Sequence, residues 1–298
     1  MAKLIECVPN FSEGRDTAVI EALVDVVRSG DGVKLLDYAP EANHNRTVVT
    51  FVGSPAGVEE TAFRLASRAA ELIDMRRHKG EHPRMGAMDV CPFIPVSEVT
   101  MAECADLARR VGRRIGEELS IPVYLYEEAA VSPARRNLAD IRKGQYEGFF
   151  EKIRQPEWAP DFGPAVMNAK SGCSVVGARF ALVAYNVNLG TDNIAIANTI
   201  ARNVRHLSGG LRFVKAMGVQ LADRKQVQVS MNLVNYEKTT IYRAHEMVKM
   251  EAKRYGVPVV GSEIIGLVPL AALVNSLEYY LQLENFRLNQ VLENRLSE

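Results

Sequence analysis

The sequence predicts an α/β (α+β) protein made of two similar halves, each laid out β-α-β-β-α-β. Three observations carry this. Short apolar runs alternate with amphipathic helical stretches, once in each half. The first turns of the two halves agree, Val8-Pro9-Asn10-Phe11 in one and Val187-Asn188-Leu189 in the other. Between the halves, Gln155 to Cys173 is irregular and holds Pro156, Pro160, Gly163, Pro164 and Gly172. The repeated unit is the split βαβ, or ferredoxin-like, arrangement. A diverged duplication is therefore expected, with subdomains over 1–178 and 179–298 and a ligand cleft between them.

Each element has its own reason. Leu4–Val8 is a short apolar strand, followed by the turn-forming Pro9-Asn10-Phe11-Ser12-Glu13-Gly14. Val19, Ile20, Leu23, Val24 and Val27 share one helical face, and that helix ends near Gly30 and Gly32. Two strands follow over Val33–Asp37 and Thr47–Val52. Ser54-Pro55 starts the next helix, with Ser54 as N-cap and Pro55 in the first turn. After a strand near Val90–Val96, Thr100 and Glu103 form a capping box for a helix to about Leu119, and Pro122–Tyr126 is a strand. The second half predicts a strand over Phe180–Val187 and a helix capped by Thr191 or Asp192. Strands over Val214–Leu221 and Val227–Tyr236 come next, then a helix from Thr239 to Tyr255 ending at Gly256, and a strand over Val257–Val260. Leu270 to Leu296 reads as one long terminal helix with an apolar stripe through Leu270, Leu273, Leu277, Leu281, Leu288 and Val291.

The chain of 298 residues carries 36 basic and 36 acidic side chains. That balance argues against a general nucleic-acid binder, which carries a basic excess. No stretch approaches the roughly 18–20 apolar residues that span a bilayer, and the N-terminus lacks a signal-peptide core. Cys7, Cys91, Cys104 and Cys173 lie far apart with no metal-ligand spacing, as expected of reduced thiols in a cytoplasmic protein.

Chemistry concentrates in Arg76-Arg77-His78-Lys79-Gly80-Glu81-His82-Pro83-Arg84-Met85-Gly86-Ala87-Met88-Asp89. His78 to His82 matches the H-x-x-E-H zinc pattern. That pattern needs a helix, and Gly80 and Pro83 oppose one, so no metal is expected. A histidine in a polar loop suits proton transfer near neutral pH, or is one member of a solvated surface loop. A second cluster joins Asp37, Glu41, Asn43, His44, Asn45 and Arg46, as an anion site or an Asx-rich turn. Arg109, Arg110, Arg113 and Arg114 read as a solvated helix face. No Gly-rich nucleotide loop occurs.

Several long segments resemble the glutamate formimidoyltransferase family. They are Leu4-Ile5-Glu6-Cys7-Val8-Pro9-Asn10-Phe11-Ser12-Glu13-Gly14, His78 through Pro95, Trp158-Ala159-Pro160-Asp161-Phe162-Gly163-Pro164, Val259-Val260-Gly261-Ser262 and Gly266-Leu267-Val268-Pro269. The resemblance implies transfer of a formimidoyl group between N-formimidoyl-L-glutamate and tetrahydrofolate, a step of histidine breakdown, with tetrahydrofolate as co-substrate. It implies two α/β subdomains around a cleft and a homodimer, the apolar stripe of the terminal helix pointing the same way. His82 becomes the catalytic residue, and Gly163-Pro164-Ala165-Val166-Met167-Asn168-Ala169-Lys170-Ser171-Gly172 the folate loop. The stretch Ala165 to Lys170 is unlike the vertebrate form. Ala39 and Asn43 stand where relatives often carry acids, with Asp37 or Glu41 as substitutes. Vertebrate relatives continue into a cyclodeaminase domain, and a monofunctional protein is expected here.

The expected mechanism follows. His82, with an ordinary pKa of about 6.5, takes a proton from the attacking amine and returns it to the departing one. Arg46, Arg84 and Lys170 meet substrate carboxylates, Asp37 or Asp89 orients the imidazole, and Asn10 and His44 complete the polar set. Two alternatives stay open: transfer of formyl in place of formimidoyl, and folate binding without turnover. The expected partners are small molecules, with neither nucleic acid nor membrane.

Overall fold

The structure, a computed structural model, describes residues 2–296. The chain divides between Arg179 and Phe180 into two compact units.

In the first unit, β1 (Leu4–Cys7) and its short continuation β2 (Asn10–Phe11) lie between β4 (Arg46–Gly53) and β5 (Met88–Ser97). The strand β3 (Val33–Glu41) pairs with β4. The order β5-β1-β4-β3 is antiparallel throughout and is that of the ferredoxin-like motif: fourth, first, third, second. Helices α1 (Thr17–Arg28) and α2 (Pro55–Leu72) are its two crossovers. Ser54 caps α2 by accepting from the Gly57 amide at 3.2 Å. A further helix, α3 (Met101–Glu118), begins with the expected capping box, Thr100 accepting from the Glu103 amide and Glu103 from the Thr100 amide. It leads to β6 (Val123–Glu127), and β7 (Ser174–Ala178) runs parallel between β5 and β6. Phe11, Phe51, Phe93, Tyr124 and Phe149 anchor the core.

The second unit holds β8 (Val183–Leu189), α6 (Ile194–Val204), β9 (Val214–Leu221), β10 (Gln226–Leu233), α7 (Ile241–Lys253) and β11 (Val259–Ile265). Its sheet order is β11-β8-β10-β9, again fourth, first, third, second, all antiparallel. Val187, Leu189, Ile200, Val229 and Val248 form a separate core. Both halves are thus ferredoxin-like. No described helix is long and apolar enough to cross a membrane.

Several boundaries differ from expectation. The strand β3 continues past Asp37 through Pro40 to Glu41. An edge strand tolerates proline, which lacks only a donor that would face away from the sheet. In the second unit the cap of α6 is Asn193, whose side chain accepts from the Ala195 amide at 3.0 Å, not Thr191 or Asp192. The strand expected from Phe180 starts at Val183, and the helix expected to reach Tyr255 stops at Lys253. The strand β7 was not expected, nor were α4 (Leu138–Ile141) and α5 (Gln145–Lys152).

The largest correction is the terminal helix. It is not continuous from Leu270 to Leu296: α8 covers Leu270–Leu281, and a single turn, α9, covers Leu292–Leu296. Gln282 takes a left-handed conformation at φ 55°, letting the Leu283 amide close the helix on the Glu278 carbonyl. Asn285, also left-handed at φ 58°, prevents a restart. The continuous stripe to Val291 therefore does not exist.

All four cysteines are free and buried. Cys7 and Cys91, on neighbouring strands, bring their Sγ atoms to 3.6 Å.

Candidate active site

Two loops of the first unit meet at the ends of its strands: the β3–β4 hairpin tip, residues 42–45, and the segment 73–87 between α2 and β5. Gly80 makes the approach possible, because a Cβ there would come within 2.2 Å of the His44 carbonyl oxygen. Asn45 fastens the junction. It adopts φ 49°, a conformation asparagine tolerates. Its side chain accepts from the Gly14 amide at 2.9 Å and donates to the Lys79 carbonyl at 3.0 Å. The segment 73–87 contains no helix, so His78 and His82 are not a helical pair.

Phe11, Ser12, His44, Asn45, Arg46, His78, His82, Arg84 and Asp89 line one small polar depression here. Arg46 opens β4, opposite Glu41, and its Nη1 lies 3.1 Å from His82 Nε2 and 3.2 Å from Asn10 Oδ1. A guanidinium has no acceptor. His82 Nε2 therefore accepts, which makes the imidazole neutral with its proton on Nδ1. The His44 ring stands edge-on to His82 with centroids 6.1 Å apart, and its Nδ1 is paired with Glu41.

A second guanidinium reinforces the positive field. Arg142, at the C-cap of α4, pairs with Asp89, whose carboxylate also accepts from the Met85 amide at 2.8 Å. Burial lowers the proton affinity of His82 first, and the charges of Arg46 and Arg142 lower it further, to a pKa of about 3. Arg46 is itself lowered, by burial and then by Arg142. The ordinary value near 6.5 expected for His82 does not hold at this site. His78 is lowered less, mainly by burial; its Nε2 faces the Asn45 carbonyl oxygen at 2.8 Å.

The remaining predicted cations have other engagements. Arg84 is buried and forks onto Glu147 with contacts of 2.6 and 2.8 Å, while its Nε donates to His78 Nδ1 at 3.1 Å. Arg84 thus orients His78. Hydrogen bonding to Arg84 lowers the proton affinity of Glu147. Lys170 donates to the Glu71 carbonyl at 2.7 Å and ties its loop to the end of α2. Asp37 stands on β3 opposite Thr50 and does not line the depression.

The loop Gly163–Gly172 is brought next to the histidine segment by its C-terminal end. Gly172 at φ 73° pairs with Gly86, and a Cβ on it would lie 2.2 Å from the Met85 carbonyl. The Ala87 amide donates to the Ser171 carbonyl at 2.8 Å. Met167 is buried, whereas Val166 is 70% exposed. At the other end, Gly163 at φ 83° packs on Gly116 and Ile121, away from these contacts. Phe11, Ser12 and Arg142 were not singled out from the sequence. Arg142 lies in a polar run after a short helix, where no periodicity marks it.

No group of three His, Cys, Asp or Glu suited to a metal ion occurs among the described residues. His82 Nε2 is turned to a guanidinium, a poor setting for a second cation.

Two family models match the chain. The formiminotransferase domain, N-terminal subdomain, covers residues 4–179, and the formiminotransferase domain covers 184–296. The glutamate formimidoyltransferase of Streptococcus pyogenes is 53% identical over 99% of both chains. That of Thermoplasma acidophilum is 52% identical over 98% of this chain and 97% of its own. The formimidoyltransferase-cyclodeaminase of Gallus gallus is 48% identical over 95% of this chain, which spans 53% of that longer protein. The chain belongs to the formiminotransferase family, a family of one-carbon transferases.

Proposed function

We propose that this chain transfers a formimidoyl group between N-formimidoyl-L-glutamate and tetrahydrofolate, with His82 as the general acid and base. The observation that carries the reading is the neutral His82 imidazole, which lines a small depression with its Nε2 beside Arg46. The two near-full-length relatives are named glutamate formimidoyltransferase, which supports the formimidoyl group and the glutamate half of this reading.

The chemistry needs one proton moved between two nitrogens. The folate amine attacks the amidine-like carbon, a C–N bond forms, and the C=N electrons move onto the imino nitrogen. His82 removes the proton from the attacking nitrogen and delivers it to the glutamate nitrogen. The C–N bond to glutamate then breaks as the C=N bond reforms. Alignment of the two substrates supplies part of the barrier reduction. The loop Gly163–Gly172 is the proposed folate contact, and the enzyme is placed in the cytoplasm, in histidine degradation.

Purified protein given tetrahydrofolate and N-formimidoylglutamate should yield a folate that converts to the strongly absorbing methenyl form. Turnover with N-formylglutamate alone would assign the enzyme to formyl transfer. Binding of folate with neither turnover would leave a folate-binding protein. The chain is further proposed to act as a homodimer; a mass near 33 kDa at every dilution in light scattering would count against that.

A further inference from the structure

We infer that Arg46 is a substrate-operated latch on His82: its guanidinium holds the Nε2 lone pair in the free enzyme, and a substrate carboxylate draws it away and frees Nε2 for proton transfer. The inference rests on the transfer reading above and adds a step to it.

The free site is arranged against catalysis. The only acceptor lone pair of a neutral imidazole is the one a general base uses, and here it is taken up by Arg46 Nη1 at 3.1 Å. The same Nη1 also reaches Asn10 Oδ1. Meanwhile Arg46 Nε is buried and has no hydrogen-bond partner. A buried guanidinium donor left unpaired is costly, so the resting position is a poor one for this side chain. Arg142 repeats the pattern: one of its Nη atoms pairs with Asp89, and its Nε is buried without a partner.

A carboxylate is the ligand these donors lack. Its two oxygens match the guanidinium fork, and its charge offsets the repulsion between Arg46 and Arg142. Both proposed substrates carry carboxylates, and tetrahydrofolate itself has a glutamate tail. A carboxylate that gives Arg46 better partners than His82 shifts the guanidinium toward it, in proportion to the difference in affinity for the two positions. His82 then regains its lone pair and loses a neighbouring positive charge. Base strength therefore appears only when an anionic substrate is present.

The groups that face this pair come from several elements. Arg142 comes from the end of α4, His44 from the hairpin tip and His78 from the segment 73–87, while Asp89 on β5 and Glu41 at the end of β3 act on Arg46. The test must therefore follow His82 itself. Full-length protein labelled with ¹⁵N-histidine is titrated by NMR with and without saturating L-glutamate, and the His82 signals are assigned by their loss in His82→Gln. Glutamate should raise the His82 midpoint by more than one pH unit, over tenfold in proton affinity. In Arg46→Met the midpoint should be raised already without glutamate, and glutamate should move it no further. Arg46→Gln, which keeps a donor but no charge, should behave alike if the methionine variant does not fold. A midpoint indifferent to glutamate in the wild type, or a glutamate-induced rise that persists in either variant, overturns the latch.

The transfer assay on the same preparation separates the two ideas. Turnover of N-formimidoylglutamate with a His82 midpoint indifferent to glutamate removes the latch alone. A glutamate-dependent rise without turnover on any donor removes the transfer reading and leaves the latch standing.

Discussion

The two units share one strand order and the same two crossover helices yet differ in the loops that join them. In the second unit, α7 and β11 are joined by residues 254–258, and the hairpin between β9 and β10 turns through the short helical turn Ala222–Arg224. In the first unit, the corresponding connections are the segment 73–87 and the hairpin tip 42–45, and these supply His78, His82, Arg84 and His44. The first unit also extends its sheet with β7 and β6, and the chain between those strands brings Arg142 and Glu147. A common scaffold thus sets where loops can meet, and loop length and content decide which copy carries chemistry. The second unit has its own half-buried histidine contact, His245 Nδ1 to the Tyr185 hydroxyl at 2.7 Å. That contact joins a helix to a strand.

The sharpest way to break this comparison is to remove one histidine from each unit. His82→Ala should lower kcat by about 10²–10⁴-fold, the range for loss of a general acid–base group, with folate affinity and far-UV circular dichroism retained. His245→Ala should leave kcat at the wild-type level and lower stability by about 1 kcal/mol, the typical worth of one hydrogen bond. Steady-state kinetics of the pair decides. Equal losses of kcat would show that the division of labour between the units is wrong.

Ion pairs give the next contrast. Asp89 and Arg142 have side chains only 3% and 15% exposed, whereas the second unit's Glu251 pairs with an Arg254 that is 63% exposed. Asp89→Ala should cost about 3–5 kcal/mol in urea unfolding, because it strands a buried guanidinium. Arg254→Ala should cost at most about 1 kcal/mol.

Acid should act chiefly through the first unit. His78 and His82 both hold protons less well folded than unfolded, as does His245 in the second unit, burial being the main cause for each. Below the ordinary histidine value near 6.5 the unfolded chain takes up protons that the native one refuses. Stability from this source is complete above that pH and is lost as pH falls toward about 3, where His82 protonates. Denaturant midpoints measured from pH 7 down to pH 4 should fall less steeply in His82→Gln than in the wild type, and His245→Gln should flatten the profile less. The smallest expected effect is that of a chelator: EDTA should leave the transfer rate unchanged, and loss of activity restored by zinc would contradict the geometry around His82.

Much of the scaffold was legible because it rests on local chemistry. Ser54-Pro55 and the Thr100–Glu103 box mark helix starts by short-range hydrogen bonds, and both caps form as read. The break after Leu281 was legible only in part: Glu284 and Asn285 visibly interrupt the apolar face, but the periodicity does not reveal that Gln282 will turn left-handed and end the helix before them. The strand β7 was missed for another reason. Ser174-Val175-Val176-Gly177-Ala178 is built mostly of small residues and directly follows the irregular stretch that ends at Cys173, and its parallel partners lie far away in sequence. At the site, Gly80 and Pro83 correctly excluded a helix through His78 and His82. The proton affinity of His82 could not be read, since it depends on burial and on Arg142, which lies far along the chain.

The central claim, that the loops around His82 carry group transfer, is tested most directly by following the carbon itself. N-formimidoylglutamate labelled with ¹³C at the formimidoyl carbon is mixed with tetrahydrofolate and the wild-type protein, and the label is followed by NMR. The account predicts that the label leaves the glutamate nitrogen and appears on folate with the protein present, and stays on glutamate with His82→Ala. Label that appears in free formamide or formate while folate remains unlabelled would contradict it.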